Sequence, residues 1–78
     1  MFLTDEEAKL HGATHRHYKG GFYKKLFEAH DSNDPSKILI VYESIEHKII
    51  WIRTKKEWDA FIFNEELGHH IPRFRELL

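Results

Sequence analysis

The chain has 78 residues, a formal net charge of -1 and no cysteine. A chain of this length folds as one domain with a thin core, because it buries only about 60% of the surface that the unfolded chain exposes. Disulfides are excluded, and the balanced charge argues against a dedicated nucleic-acid domain, which is usually distinctly basic. We therefore expect a single domain over 1–78 whose core depends on aromatic residues, which make up 14% of the chain.

The N-terminal residues predict neither a secretory nor a membrane segment. Met1-Phe2-Leu3 runs directly into acidic residues, without the cationic and apolar stretches of a signal peptide. The longest unbroken apolar run, 38–42, is far too short to cross a bilayer. We expect a soluble, cytoplasmic protein that makes no membrane contact.

The first predicted element is a short helix over 4–11. Thr4-Asp5-Glu6-Glu7 has the form of a capping box, in which the Thr hydroxyl and the Glu carboxylate satisfy free amides of the first helical turn. Gly12 is suited to end the helix, because glycine readily adopts the conformation that follows a helix C-terminus.

A β core of about five short strands is predicted over 15–75. Gly20-Gly21 is a turn dipeptide, and residues 31–36 are nearly all turn formers, which predicts a loop. Residues 38–43 form a continuous apolar run typical of a central strand buried on both faces. The strands are predicted at 15–18, 22–29, 38–43, 49–54 and 70–74.

The segment after the central hairpin completes the predicted fold. Trp58, Phe61 and Ile62 recur at i, i+3 and i+4, which predicts a short helix near 55–62 that packs on the sheet. Together these elements predict a mainly β (α+β) protein. A small, strongly bent sheet or an SH3-like barrel would let so short a chain cover its core, and a flat α+β sandwich is the alternative.

Five short motifs occur in order along most of the chain. They are His17-Tyr18-Lys19-Gly20-Gly21-x-Tyr23, Ala29-His30-x-Ser32, Val41-Tyr42, Trp51-Ile52-Arg53 and Pro72-Arg73-Phe74. From about His15 to Phe74 this set resembles a family of small bacterial and phage proteins called domain of unknown function 1653. The resemblance implies a compact β domain and no established activity. Thr54 departs from the family pattern, in which a proline follows the arginine.

Trp51 and Arg53 are the first candidates for a binding site. Alternation along a strand places Ile49, Trp51 and Arg53 on one face, so an apolar ring lies beside a guanidinium. This pairing suits a ligand with a planar part and an anionic part, such as a nucleotide, or a carboxylate at a peptide end. The alternative is structural: a core Trp51, with Arg53 paired to Glu43 or Glu46.

Further candidates lie in the first turn and near the C-terminus. Lys19 precedes a Gly-Gly turn whose backbone amides can face an anion, although a plain turn with a solvated lysine is the alternative. Arg73 lies near Arg53 if the last strand closes a barrel against the central hairpin. The predicted ligand-binding residues are Tyr18, Lys19, Gly20, Trp51, Arg53 and Arg73.

Metal binding and catalysis have little support in the sequence. Zinc needs three or four ligands, and the chain combines seven histidines with no cysteine and no known two-histidine signature. The serines lie in turns, none of them in a nucleophile elbow. We predict no catalytic residue, no metal ligand and no cofactor.

The favoured function is a non-enzymatic binding module for an anionic small ligand or a peptide end. One alternative is a protein–protein adaptor, which should have an apolar groove around Tyr18 and Trp58. Homo-oligomerisation stays open. Another alternative is an accessory nucleic-acid protein that binds through Lys19, Lys24, Lys25, Lys55 and Lys56.

Overall fold

A computed structural model of the protein describes residues 4–78. The expectation that Met1–Leu3 begins no signal segment lies outside the described residues. The chain begins with helix α1, Asp5–Leu10, and the Thr4 hydroxyl oxygen accepts a hydrogen bond from the Glu7 amide at 3.2 Å. Gly12 follows with a φ of 95°. The predicted N-terminal helix is therefore confirmed, with its capping residue.

Seven strands and a second short helix, α2 (Lys55–Trp58), follow within residues 4–78. The strands form an antiparallel five-stranded sheet in the order β4-β3-β2-β1-β7 and a separate pair, β5-β6. The mainly β prediction is confirmed. The strands are β1 His15–His17, β2 Phe22–Asp31, β3 Asp34–Ser44, β4 Ile50–Thr54, β5 Phe61–Asn64, β6 His69–Pro72 and β7 Phe74–Glu76.

The barrel prediction is wrong, because the five-stranded sheet is open. Strand β7 pairs with β1 instead of the central hairpin, so β4 and β7 are the two edges. The predicted last strand divides at Arg73: Pro72 pairs with Phe61 in the small sheet, and Phe74 pairs with His17 in the large one. The Arg73 amide donates to the Ala60 carbonyl at 2.9 Å, which holds the chain at this change of sheet.

The predicted loop at 31–36 is also wrong. The turn is reduced to Ser32-Asn33, because Asp31 pairs with Asp34 and its carboxylate accepts the Asn33 amide at 2.7 Å. The strands therefore continue through the turn-forming residues on both sides.

Helix α2 is shorter than the predicted helix near 55–62. It begins after Thr54, whose hydroxyl oxygen accepts the Glu57 amide at 3.1 Å, and it ends at Trp58. Phe61 and Ile62 belong to β5, where they pair with β6. Thr54-Lys55-Lys56-Glu57 thus has the sequence form of a second capping box.

Two buried clusters lie on opposite faces of the large sheet. Adjacent residues of a strand point to opposite faces, and Phe22 belongs to one cluster while Tyr23 packs against the other. We call the two sides the helical face and the aromatic face. The helical-face cluster is Ala8, Ala13, Phe22 and Ile45, and the aromatic-face cluster is Ile40, Tyr42, Trp58 and Phe74.

Strand β3 is buried on one face only, contrary to the prediction for 38–43. Ile40 and Tyr42 are buried, whereas Leu39 and Val41 are half-buried.

Neither helix within residues 4–78 has the length and apolar character that crossing a membrane requires.

Candidate functional site

A cleft of about 440 Å³ opens on the aromatic face of the large sheet. Strand β4 contributes Trp51 and Arg53 to its walls, the β1–β2 turn contributes Lys19, and Tyr23 and Tyr42 come from β2 and β3. We call this the basic cleft. Its wall residues, all within 4–78, include no Asp and no Glu.

The pairing of β4 with β3 explains why Trp51 and Arg53 reach this cleft. Trp51 lies opposite Tyr42, and Arg53 lies opposite Ile40. Directly opposed residues share a face, so both side chains project on the aromatic side. Ile49 also lines the cleft, which confirms the predicted common face of the three residues.

Trp51 is not a core residue. It keeps 48% of its surface exposed, whereas Trp58 keeps 5% and stacks on Phe74 with ring centroids 3.9 Å apart. The structural alternative considered for Trp51 is therefore wrong. An indole half open to solvent is free to lie against a ligand ring.

Arg53 lies against aromatic residues with little charge compensation. Its side chain is 27% exposed. The Nε atom donates to the Tyr42 hydroxyl at 3.4 Å, and the guanidinium carbon lies 5.7 Å from the centre of the Phe74 ring. Its ion pair is with Glu57 and not with Glu43 or Glu46, and the separation of 4.0 Å is long. Since a guanidinium has five N–H donors, Arg53 retains capacity to bind an anion.

His17 lies between the cations of the site. Burial, followed by the charges of Arg53, Arg73 and Lys19 in that order, lowers the pKa of His17 from 6.5 to about 4. The Lys19 amide donates to His17 Nδ1 at 3.2 Å. At neutral pH the ring is therefore neutral, with its proton on Nε2, and it adds a hydrogen-bond donor without adding charge.

The six predicted ligand-binding residues fall into three groups. Lys19, Trp51 and Arg53 line the basic cleft. Tyr18 and Gly20 line a neighbouring cleft of about 560 Å³, which shares His17 and Lys19 with the first.

Arg73 lines neither cleft. Its Nε donates to the Glu57 carbonyl at 3.0 Å, which attaches it to the end of α2. It reaches the site from the chain between β6 and β7 and not through closure of a barrel. Its contribution is the positive charge that acts on His17.

The residues of the basic cleft that the predicted ligand-binding set did not include are led by His17, Tyr23 and Tyr42, which carry its further polar groups. Each stands in one of the sequence motifs that carry the family resemblance, so the motifs contained the signal. Tyr23 and Tyr42 meet edge-on with ring centroids 5.5 Å apart, and burial raises the pKa of Tyr23. The Tyr23 phenol therefore stays protonated at neutral pH as a hydrogen-bond donor.

The histidines are not arranged as a metal site in the part of the chain that the structure describes. No group of three or more His, Asp or Glu side chains there could hold an ion. His15 is half-buried and packs edge-on against Trp58 with ring centroids 5.0 Å apart, so its ring lies against the aromatic-face cluster.

These features define a small, mainly β protein with an open sheet and a basic, aromatic-walled cleft. Residues 13–76 match the family described as "Protein of unknown function (DUF1653)", and the chain belongs to that family. Nothing matches in the comparisons with curated proteins and with solved structures.

Proposed function

We propose that the protein is a non-enzymatic binding module that holds an anionic small ligand in the basic cleft. The observation that supports this most strongly is Arg53, recessed on an aromatic floor with a single ion pair at 4.0 Å. Lys19 adds a second cation to walls without carboxylates. A cleft with a few converging polar groups on aromatic walls is the ordinary form of a small-ligand site.

The chemistry of the walls favours an anion that carries a planar group. Arg53 offers parallel N–H donors to a phosphate or carboxylate, which bind guanidinium bidentately. Trp51, about half exposed, offers a stacking surface beside it. A nucleotide combines both features, and the carboxylate end of a peptide with an aromatic side chain is the second ligand that fits.

Two other functions have weaker support. The adaptor alternative depended on a groove around Tyr18 and Trp58, and Trp58 is buried. The nucleic-acid alternative depended on free lysines, yet Lys25 and Lys55 both pair with Glu28 at 3.3 Å. We also propose a cytoplasmic location in a bacterial or phage-infected cell, in keeping with the family resemblance and the cysteine-free chain.

The test is a thermal-shift screen with nucleotides, cyclic nucleotides and carboxylates, run on the native chain and on Arg53→Ala. A ligand at about one hundred times its dissociation constant should stabilise the protein by roughly 2.7 kcal/mol, a shift on the order of ten degrees for so small a domain. Arg53→Ala should abolish the shift with one ligand class and melt within a few degrees of the native chain.

Lys56→Ala is the matched control, because it removes an exposed cation that does not line the basic cleft. It should keep the full ligand-induced shift. A flat screen across every ligand class, or an equal loss in both variants, would refute the proposed function.

A further inference from the structure

Strand β4 is an edge of the large sheet that lacks the usual protection against strand pairing. Ile50 and Ile52 are 60% and 63% exposed, and no described strand lies beyond them. Edge strands are commonly protected by proline, a bulge or charged side chains. Strand β4 contains no proline, and its pairing with β3 runs without a register shift from Ile50 to Thr54. Its charged residue, Arg53, lines the basic cleft on the aromatic face and leaves Ile50 and Ile52 unguarded on the other face.

The hydrogen-bond pattern identifies which backbone groups of β4 are free. The Ser44 amide donates to the Ile49 carbonyl at 2.9 Å, so this opposed pair is a hydrogen-bonded one. Hydrogen-bonded and non-hydrogen-bonded pairs alternate in an antiparallel ladder. Trp51 and Arg53 therefore direct their amides and carbonyls toward β3, whereas Ile50 and Ile52 direct theirs outward, away from the sheet.

We infer that two copies of this chain pair antiparallel through β4, around a twofold axis at Trp51, to form one continuous sheet. In this register Ile50 lies opposite Ile52 of the second copy. These are the residues with outward amides and carbonyls, so each pair exchanges two backbone hydrogen bonds. The two Trp51 residues form the central, non-hydrogen-bonded pair.

A row of apolar side chains on the helical face favours a second copy as the partner that pairs with the β4 edge. Phe27, Val41 and Ile52 lie opposite one another across β2, β3 and β4. Pairing adds Ile50 of the second copy to the end of this row. Cross-strand apolar pairs stabilise a sheet, and here the same two isoleucines supply both sides of the contact.

The register of the two isoleucines favours the axis at Trp51 over its neighbour. With the axis at Trp51, Ile50 lies opposite Ile52 of the second copy, so both outward positions form apolar pairs. With the axis at Ile52, Ile50 lies opposite Thr54 of the second copy instead. Cross-strand apolar pairs stabilise a sheet. The paired copies would also bring Ile49 of the second copy beside Arg53, at the margin of each basic cleft.

A cysteine placed at the axis tests this arrangement directly, because the chain has no cysteine of its own. The Cα atoms of a central non-hydrogen-bonded pair lie about 4.5 Å apart, within the range of a disulfide. Trp51→Cys should form a covalent dimer under mild oxidation. Ile52→Cys is the matched control and should stay monomeric on a non-reducing gel, because its opposite residue is Ile50. Cross-linking of Ile52→Cys without Trp51→Cys would overturn the axis.

The mass of the native chain in solution provides the second test, by sedimentation over concentrations up to about 1 mM. We expect the mass of two copies, and at least a tenfold weaker association for Ile52→Pro, whose lost amide points away from β3. Phe27→Lys changes the same sheet face away from the edge and should still associate.

If the native chain sediments as a monomer at every concentration, the inference is wrong. The β4 edge would then be a site for an extended peptide from another protein. Loss of association in Phe27→Lys, but not in Ile52→Pro, would overturn it in favour of face-to-face packing. Circular dichroism checks that each variant is folded.

Discussion

The two faces of the large sheet arise from the same strands but differ in how much of them is covered. On the aromatic face Ile40 is completely buried and Tyr42 is 5% exposed. On the helical face Phe27 and Ile52 remain 58% and 63% exposed. The difference lies in the covering elements, because α2 and the entry to β7 bring Trp58 and Phe74 onto one face. Helix α1 has six residues, and its buried cluster covers only the end of the other face near Phe22.

This contrast shows that an apolar face of a strand need not be a core face. Alternation assigns residues to a side of the sheet, and burial depends on what the rest of the chain places over that side. Here the chain has enough material to cover much of one face and only one end of the other. Ile50 and Ile52 of the less covered face stand at the β4 edge, where we infer that two copies pair.

The largest difference between the faces should appear on truncation of the two tryptophans. Trp58→Ala removes the ring that stacks on Phe74, and we expect a loss of about 3–5 kcal/mol, enough to unfold so small a domain. Trp51→Ala removes an exposed ring and, at concentrations low enough to keep two copies apart, should cost less than about 1 kcal/mol. Urea unfolding followed by circular dichroism measures both. Equal losses in the two variants would contradict the assignment of the core to Trp58.

A second difference should appear in the pH dependence of stability. His17 has a folded pKa of about 4, below its ordinary value of 6.5, chiefly because of burial. As pH falls from 6.5 toward 4, the unfolded chain takes up a proton that the folded chain does not, so the free energy of unfolding falls. We expect a loss of about 1–2 kcal/mol after allowing for solvent screening, complete near pH 4.

Unfolding of the native chain and of His17→Gln at a series of pH values checks this expectation. The variant should have a shallower slope between pH 6.5 and 4, with a remaining part from His15, whose pKa burial also lowers. Unchanged slopes would show that His17 is not held neutral by its surroundings.

The smallest effect should come from the two helix caps, one on each face. Thr54→Ala removes the acceptor for the Glu57 amide, and Thr4→Ala removes the acceptor for the Glu7 amide. Each should cost about 1 kcal/mol. Thr54→Ser and Thr4→Ser keep the hydroxyl and should restore stability within about 0.5 kcal/mol. If the serine variants fail to restore it, the capping role is incorrect.

Thermal melts of the four cap variants, with and without ligand, would show which of the two helices supports ligand binding. Helix α2 carries Trp58, which stacks on Phe74, and Phe74 lines the basic cleft, so loss of the α2 cap should also weaken ligand binding there. Helix α1 does not contribute to that cleft, and Thr4→Ala should leave binding unchanged.

Features that depend on near neighbours in the chain could be predicted from the sequence. The Thr4 cap, the Gly20-Gly21 turn and the common face of Trp51 and Arg53 follow from local stereochemistry. Thr54-Lys55-Lys56-Glu57 has the same capping pattern as the residues at Thr4, but the prediction did not use it. The prediction used the helical spacing of Trp58 with Phe61, and this made the predicted helix too long. Lys19 shares one cleft with Trp51 and Arg53 because the consecutive strands β2, β3 and β4 are also neighbours in the sheet, which brings the first turn near β4.

Features that depend on distant pairing could not be predicted in the same way. The large sheet is open because β7 pairs with β1, and nothing near Phe74 in the sequence indicates this pairing. The position of Arg73 depends on the same event. His17 was missed as a site residue because its importance comes from three cations that only the fold brings around it.

The low pKa of His17 has a thermodynamic consequence for any anion that enters the basic cleft. The negative charge of the ligand would offset the cations around the ring and raise the pKa of His17. Between pH 4 and 6.5, binding would then take up a proton from the buffer, and affinity would rise as the solution becomes more acidic. Calorimetric titration in two buffers with different heats of ionisation would register this uptake as a difference in the apparent heat of binding.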